Sequence, residues 1–393
     1  MILKRKLYNR IKTITSYGLG QILSVFSVLV LSLFIVKFHS VKLWGIYAEI
    51  LIWTNFFLLF LSFGSYDSLL KSFSETPSSI NQLWVNNLMT RSILLVPSIV
   101  LLFFIPLFKS FILWVILLIF LQFLLQSFKV LIVYHRKFNL TILVEIIYTI
   151  FLIGILFFQY SDLDIKQLLQ LICFTYLLKL IVYSIFLLKG FNNITYSLEL
   201  NELKKSVPFF IPVAVGTIRT KIDTYYGSHF FNSITLSKYQ VFISFLMLAQ
   251  MASSFIITPY IKTLYRSKNV LIQSIQKEFF IYGCMFSVVF TAFLYIFIEY
   301  IYGFEFTLFQ YFLALIFIAP LVIHILLINE YYKKNLQSKI AKFASLIVIV
   351  QVIIGYFLIK HNGINGALLL KALGQWAIVI ILWFWIKKER ING

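Results

Sequence analysis

The sequence predicts an all-α polytopic membrane protein of about twelve transmembrane helices in two pseudo-symmetric six-helix bundles. Three observations carry that expectation. First, of 393 residues 61% are hydrophobic and only 12% charged, against about 25% charged in a soluble domain. Second, the apolar residues fall into twelve runs, each near the roughly 20 residues a bilayer span needs. Third, the two halves of the chain share a few positions at one constant offset.

In chain order the predicted spans are Ile14–Val36, Trp44–Phe63, Leu83–Phe104, Phe111–Val133, Thr141–Phe158 and Leu168–Leu188, then Val207–Phe230, Leu236–Ile256, Phe279–Ile301, Leu308–Ile328, Ile340–Ile359 and Ile364–Ile386. The first run follows a basic start (Lys4, Arg5, Lys6). It is too long for a signal h-region and lacks a small-residue cleavage site, so it reads as an uncleaved first helix. Connections are short; the longest, Lys189–Ser206, is polar and separates the expected N-terminal bundle, 1–195, from the C-terminal bundle, 196–393.

Loop charge gives the orientation. With the N-terminus inside, the inner segments hold Lys4, Arg5, Lys6, Arg10 and Lys12, and later the clusters at Arg136 and Lys137, at Lys262, Arg266 and Lys268, and at Lys387, Lys388 and Arg390. Outer loops hold only isolated lysines, Lys37, Lys42, Lys109, Lys166, Lys238 and Lys360. That asymmetry is the positive-inside pattern, with both termini cytoplasmic. The net charge of +20 then belongs to loops facing anionic lipid, and nucleic acid is not an expected partner.

The offset is 192 residues: it maps Ser16-Tyr17-Gly18-Leu19-Gly20 onto Pro208-Phe209-Phe210-Ile211-Pro212, and Gly45-Ile46-Tyr47 onto Ser237-Lys238-Tyr239. An even number of spans between equivalents makes these parallel repeats, related by an axis along the membrane normal, with a central site expected between them.

Beyond the basic residues assigned to loops and span ends, five remain inside spans: Arg91, Lys179, Arg219, Lys221 and Lys371. A charge near mid-bilayer costs at least about 2.5 kcal/mol on insertion scales and so faces protein or water. Arg219 and Asp223 stand i, i+4 on one helix face, where they can pair; Lys221 lies about 160° from Arg219 around the axis. Two readings follow. Arg219 and Asp223 form a structural ion pair, or the helix lines a polar cavity for an anion, in which Asp223 balances Arg219 or titrates. Arg91 and Lys179, nearer predicted helix ends, line the cavity or snorkel to the surface. A net-positive interior suits a phosphate or carboxylate and not a cationic drug.

Most aromatic residues, including Tyr225, Tyr226, Trp376, Trp383 and Trp385, read as packing or interfacial belt. Cys173 and Cys284 lie within spans with no metal spacing, and of the scattered histidines His324, within a span, is the one worth testing. Pro208, Pro212, Pro259 and Pro320 are expected to bend or end helices. The sequence contains no phosphate-cradling glycine loop with lysine, no zinc-protease motif and no catalytic triad pattern, so no catalytic residue, metal or cofactor is expected.

The run Arg219–Tyr239 with Asp223, Gly227 and Lys238-Tyr239, followed by Pro259, resembles the second-half opening of polysaccharide-export flippases, and Gly18, Gly20, Gln21, Gly45-Ile46-Tyr47 and Gly363-Ile364-Asn365-Gly366-Ala367 resemble their other helix starts. Ser237 departs from the glycine usual before the second tyrosine. The chain is thus similar, over essentially its whole length, to the O-antigen or capsule repeat-unit flippases (Wzx-type) of the multidrug/oligosaccharidyl-lipid/polysaccharide exporter superfamily. The resemblance implies two bundles in a V, as in the multidrug exporters (MATE), alternating between inward- and outward-facing states in the bacterial inner membrane. It implies an undecaprenyl-pyrophosphate-linked oligosaccharide as substrate, bound by Arg219, Lys371, Lys221, Lys179 and Arg91. An H+ or Na+ gradient would supply the energy, and the pathway's polymerase and chain-length regulator would be protein partners. The rival readings are a repeat-unit polymerase, disfavoured by brief outer loops, and a drug exporter, disfavoured by the basic interior.

Overall fold

The computed structural model describes residues 2–158, 163–189, 191, 197–257, 269–334 and 336–391. Every regular element among them is helical. The helices are α1 Ile2–Phe38, α2 Val41–Ser62, α3 Ser65–Glu75, α4 Ile80–Ser92, α5 Leu95–Leu102, α6 Ile112–Tyr134, α7 Phe138–Phe158 and α8 Ile165–Leu187. The second half adds α9 Leu200–Phe230, α10 Ser233–Ile257, α11 Asn269–Ile296, α12 Leu308–Ile318, α13 Leu321–Lys333 and α14 Gln337–Ile391.

Among the described residues, 9 stretches are long and apolar enough to cross a membrane. The last of them, Ser338–Lys388, runs for 51 residues. A straight helix of that length would be more than twice as long as the hydrocarbon core is thick. It is not straight. Gly363 takes φ 53 and ψ −130, a conformation that favours glycine, and a Cβ on Gly366 would lie 2.0 Å from the Leu358 carbonyl oxygen. The two predicted spans Ile340–Ile359 and Ile364–Ile386 are the arms of this turn. α9, with its charges, and α10, with Lys238, Gln240 and Gln250, are not among the 9.

Several predicted spans are interrupted helices. α2 and α3 join at Phe63 (φ 41) and Gly64 (φ 67), two positive-φ residues in succession. A Cβ on Gly64 would come within 2.5 Å of the Phe210 backbone nitrogen, and Phe63 stacks on the Phe210 ring with centroids 4.6 Å apart. Pro320 separates α12 from α13, as a residue without an N–H should. Pro208 and Pro212 instead sit inside α9, which continues past both. Pro259 lies outside the described residues. Two helix starts are capping boxes readable in sequence: Asp164 with Gln167 opens α8, and Thr307 with Gln310 opens α12.

Contacts divide the chain into two compact units, one formed by 46–214 and the other by 1–45 with 215–393. In the first unit, Leu69, Phe73, Trp84, Phe128, Leu131 and Tyr183 share a core, and the Trp84 indole donates to the Ser127 carbonyl at 2.8 Å. In the second, α13 packs on α14 through Ile323, Leu327, Tyr331, Val379 and Leu382. There α1 also approaches α10, where a Cβ on Gly18 would enter the Phe255 ring, and a Cβ on Gly45, at the start of α2, would lie 1.8 Å from the Ser233 carbonyl oxygen. A π-helical turn, Phe297–Tyr302, follows α11 and carries Tyr302, whose hydroxyl donates to the Leu29 carbonyl at 2.7 Å and meets the Ser32 hydroxyl at 2.7 Å. Large apolar side chains such as Leu113, Ile150, Val289 and Phe384 are exposed, as expected of surface that meets lipid.

Candidate functional site

α9 places Arg219, Thr220 and Asp223 within about one turn of each other, and α14 brings Lys371 to Thr220 and Asp223. The Lys371 ammonium lies 3.2 Å from each Asp223 carboxylate oxygen and donates to the Thr220 carbonyl at 2.8 Å. Tyr239, at the second turn of α10, donates its hydroxyl to Asp223 Oδ2, and Thr224 Oγ1 approaches the same oxygen at 3.4 Å. Asp223 is 1% exposed and Lys371 7%. A buried ion pair persists only when its remaining lone pairs and protons are also satisfied, and here they are.

The partner that i, i+4 spacing offers Asp223 is Arg219, and the structure corrects this. With Lys371 and Tyr239 from other helices and the adjacent Thr224 on its two oxygens, the carboxylate has no need of Arg219. Arg219, half-buried, makes no ion pair and no side-chain hydrogen bond among the described residues. It instead lines a recess with Thr220, Gln250, Phe317, Gln351, Lys371, Gly374 and Gln375. The interior acid balances the lysine, and the arginine's charge is left over.

Gly374 and Gln351 shape the floor. A Cβ on Gly374 would lie 2.0 Å from Gln351 Nε2, so only glycine lets that amide sit where it does. Behind the recess, His324 Nδ1 meets Gln375 Nε2 at 3.0 Å, both side chains buried. His324 therefore acts through Gln375 and does not reach the recess itself.

The remaining basic candidates are placed elsewhere. Arg91 is 2% exposed and does not snorkel. Its guanidinium donates to Asn87 Oδ1 at 2.8 Å, to the Leu61 carbonyl at 3.2 Å and to Ser127 Oγ at 2.9 Å, and it lies 5.1 Å from the Phe123 ring centroid. This ties α4 to α2 and α6. Lys179 does not snorkel either. It pairs with Glu145 at 2.8 Å and stands 3.6 Å over the Tyr148 ring, which stacks on Tyr176. Two further acids lie within helices, Glu145 inside α7 and Glu330, 0% exposed, near the C-terminal end of α13. Lys221 is half-buried and does not line the recess.

Sequence reasoning missed the glutamines. Gln250, Gln351 and Gln375 are neutral, and an amide in an apolar run signals less than a charge, although at membrane depth it too needs a partner. The aromatic residues mostly pack: Tyr226 donates to the Val352 carbonyl at 2.8 Å and Trp376 to the Ile316 carbonyl at 2.8 Å. Cys173 is buried against the Trp114 carbonyl. Among the described residues no group of His, Cys, Asp and Glu is arranged to hold a metal.

No family model matches the sequence, and no curated protein matches it. Solved structures do. The lipid II flippase MurJ in an inward closed conformation superposes with a TM-score of 0.72 at 16% identity, covering 96% of this chain and 87% of that one. The fold is that of MurJ and of the MATE transporters. The Vibrio cholerae MATE transporter VcmN, in a mutant form, matches with a TM-score of 0.60 at 13% identity over 97% of each chain. A MOP superfamily transporter from Pyrococcus furiosus, described as having a binding pocket of reverse polarity, matches with a TM-score of 0.58 at 14% identity over 97% and 96% of the two chains. At these identities the likeness is one of architecture, and the recess around Arg219 belongs to this chain's own residues.

Proposed function

We propose that the protein is a transporter, a flippase that carries an undecaprenyl-pyrophosphate-linked oligosaccharide, an O-antigen or capsule repeat unit, from the cytoplasmic to the outer face of the bacterial inner membrane. The observation that supports this reading is the guanidinium of Arg219, without an acid partner among the described residues, in a recess it shares with Thr220, Gln250, Phe317, Gln351, Lys371, Gly374 and Gln375. A cation held at membrane depth without an acid costs several kcal/mol unless a ligand or water meets it, and a phosphate offers the forked geometry that arginine matches.

The physical task is to move a pyrophosphate and a hydrophilic glycan through about 30 Å of hydrocarbon while the polyprenyl tail stays in lipid. A fixed cationic group on α9 would receive the pyrophosphate from the cytoplasmic side, and alternation between inward- and outward-open states would carry it across. Asp223 would hold Lys371 in place and moderate the local charge, so that the product is not bound too tightly to leave. An H+ or Na+ gradient is the proposed energy source. The positive-inside loops support an orientation with both termini in the cytoplasm, next to the enzymes that would build the substrate; the pathway's polymerase and chain-length regulator would receive it outside.

The test is a deletion strain complemented with wild type or Arg219→Ala, assayed for surface polysaccharide and for the sidedness of lipid-linked repeat units. Accumulation of complete units on the cytoplasmic face in the deletion strain and in the variant supports the flippase. Single units reaching the outer face without polymer would replace this reading with a polymerase. Unaltered glycan with altered drug tolerance would replace it with a drug exporter.

A further inference from the structure

The two ends of α14 meet at one indole. Lys339, in the first turn, holds its ammonium 5.2 Å from the Trp385 ring centroid, and Lys388, near the other end, holds its own at 5.6 Å. Phe343 packs on the same ring with centroids 5.5 Å apart. Trp84 and Trp376 donate their indole N–H to carbonyls; that of Trp385, 39% exposed, donates to none among the described residues. Trp383 and Phe384 beside it are exposed as well. Lys388 is exposed and makes no ion pair among the described residues.

Each ammonium is drawn to the ring, and each repels the other. Around them, residues 330–342 and 383–390 carry seven basic side chains against two acids, Glu330 and Glu389. An anion between Lys339 and Lys388 relieves that repulsion. The indole N–H adds a neutral donor at the depth where such rings sit, between headgroup and acyl chain. We propose that the mouth of α14 seats an anionic glycerophospholipid. Its phosphate lies between Lys339 and Lys388, an ester carbonyl accepts from the Trp385 N–H, and an acyl chain runs along the exposed apolar side of the second arm. A zwitterionic lipid would bring its own ammonium in among the lysines, so a net negative headgroup is selected. The positive-inside pattern assigns this end to the cytoplasmic face, whose surface potential favours the same pairing. Trp385 lies about 21 Å along the arm from Lys371, so the seat is separate from the recess around Arg219. The lipid is a fixed ligand and not cargo: it ties the start of α14 to its end and holds the arm that carries Lys371 at a set depth.

Full-length protein, purified in mild detergent and washed free of lipid, is titrated with dioleoylphosphatidylglycerol, dioleoylphosphatidylcholine and decaprenyl phosphate. Apparent affinity is read from the thermal stabilisation of each variant over its own lipid-free state. Wild type is expected to bind phosphatidylglycerol about 25-fold more tightly than phosphatidylcholine, about fivefold for each lysine, and the preference is expected to shrink as salt is raised. Lys339→Gln with Lys388→Gln is expected to abolish it. Lys342→Gln with Lys387→Gln takes the same charge from the same end and is expected to leave it within about twofold. Trp385→Phe removes the N–H and no charge, and is expected to weaken phosphatidylglycerol about fivefold. Equal wild-type affinity for the two phospholipids overturns the proposal. Equal losses in the two double variants also overturn it, because diffuse attraction to a basic end would then suffice. Decaprenyl phosphate has no ester carbonyl; if it binds more tightly than phosphatidylglycerol and loses that affinity with Lys339 and Lys388 changed, the seat belongs to a transported lipid and the proposal falls. Should the Lys339 and Lys388 double variant fail to fold, Trp385→Phe decides.

Discussion

Lys371 of α14 reaches Asp223 of α9 with both carboxylate oxygens at 3.2 Å, and in doing so leaves Arg219, one turn earlier on the same face, without an acid. One ion pair thereby sets the charge of the recess.

Removing that acid should be costly. Asp223→Asn leaves the Lys371 ammonium buried with only the Thr220 carbonyl and an amide, and breaking a buried pair from one side costs about 3–5 kcal/mol. The variant should unfold at a clearly lower temperature in mild detergent, and Asp223→Asn with Lys371→Met should recover most of the loss. A double variant no more stable than the single one would mean that the pair is not what Asp223 contributes.

The two buried arginines should part company. Arg91→Met removes hydrogen bonds to Asn87, Leu61 and Ser127 and should destabilise by about 3 kcal/mol. Arg219→Met breaks no protein contact and should change stability by less than about 1 kcal/mol while abolishing surface polysaccharide. Thermal unfolding of both variants beside the glycan assay separates structure from transport.

Glycines offer a paired control. Gly45→Ala drives a methyl group to 1.8 Å from the Ser233 carbonyl oxygen, which must move backbone, and should cost more than about 2 kcal/mol. Gly216, in α9, has nothing within 4 Å of its would-be Cβ, so Gly216→Ala should stabilise by about 0.5–1 kcal/mol through helix propensity. Melting temperatures that move in the same direction would contradict the packing.

Sidedness is measurable directly. In a chain with Cys173 and Cys284 changed to Ser, a cysteine at exposed position 361, beside the Gly363 turn, should react with an impermeant maleimide added outside. One at exposed position 388 should react only after the membrane is opened. The reverse pattern would invert the orientation.

Much of this was readable beforehand because the bilayer imposes it. The run predicted as Phe111–Val133 is α6 Ile112–Tyr134, and Thr141–Phe158 ends with α7 at Phe158, since apolar length leaves little choice. Arg219 stood out because charge in such a run is expensive. The partner of Asp223 was not readable: Lys371 lies 148 residues away, and i, i+4 geometry offered a nearer answer that tertiary packing overrode. The amides were silent for the reason that makes them useful, being polar without being charged. The 192-residue offset places Ser27 and Leu31 opposite Arg219 and Asp223, so the repeat marked the helix and gave no copy of the site.

The contact of Gly45 with Ser233, and of Gly18 with Phe255, sets a schedule for biosynthesis. Gly45 and Ser233 are 188 residues apart and Gly18 and Phe255 237, and at 5–20 residues per second a ribosome needs about 10–50 s to make such stretches. For that interval the first helix sits in the bilayer without α10 beside it. The newborn chain is then a natural client for membrane chaperones and quality-control proteases, and a nonsense mutation anywhere before α10 strands the first helix for good.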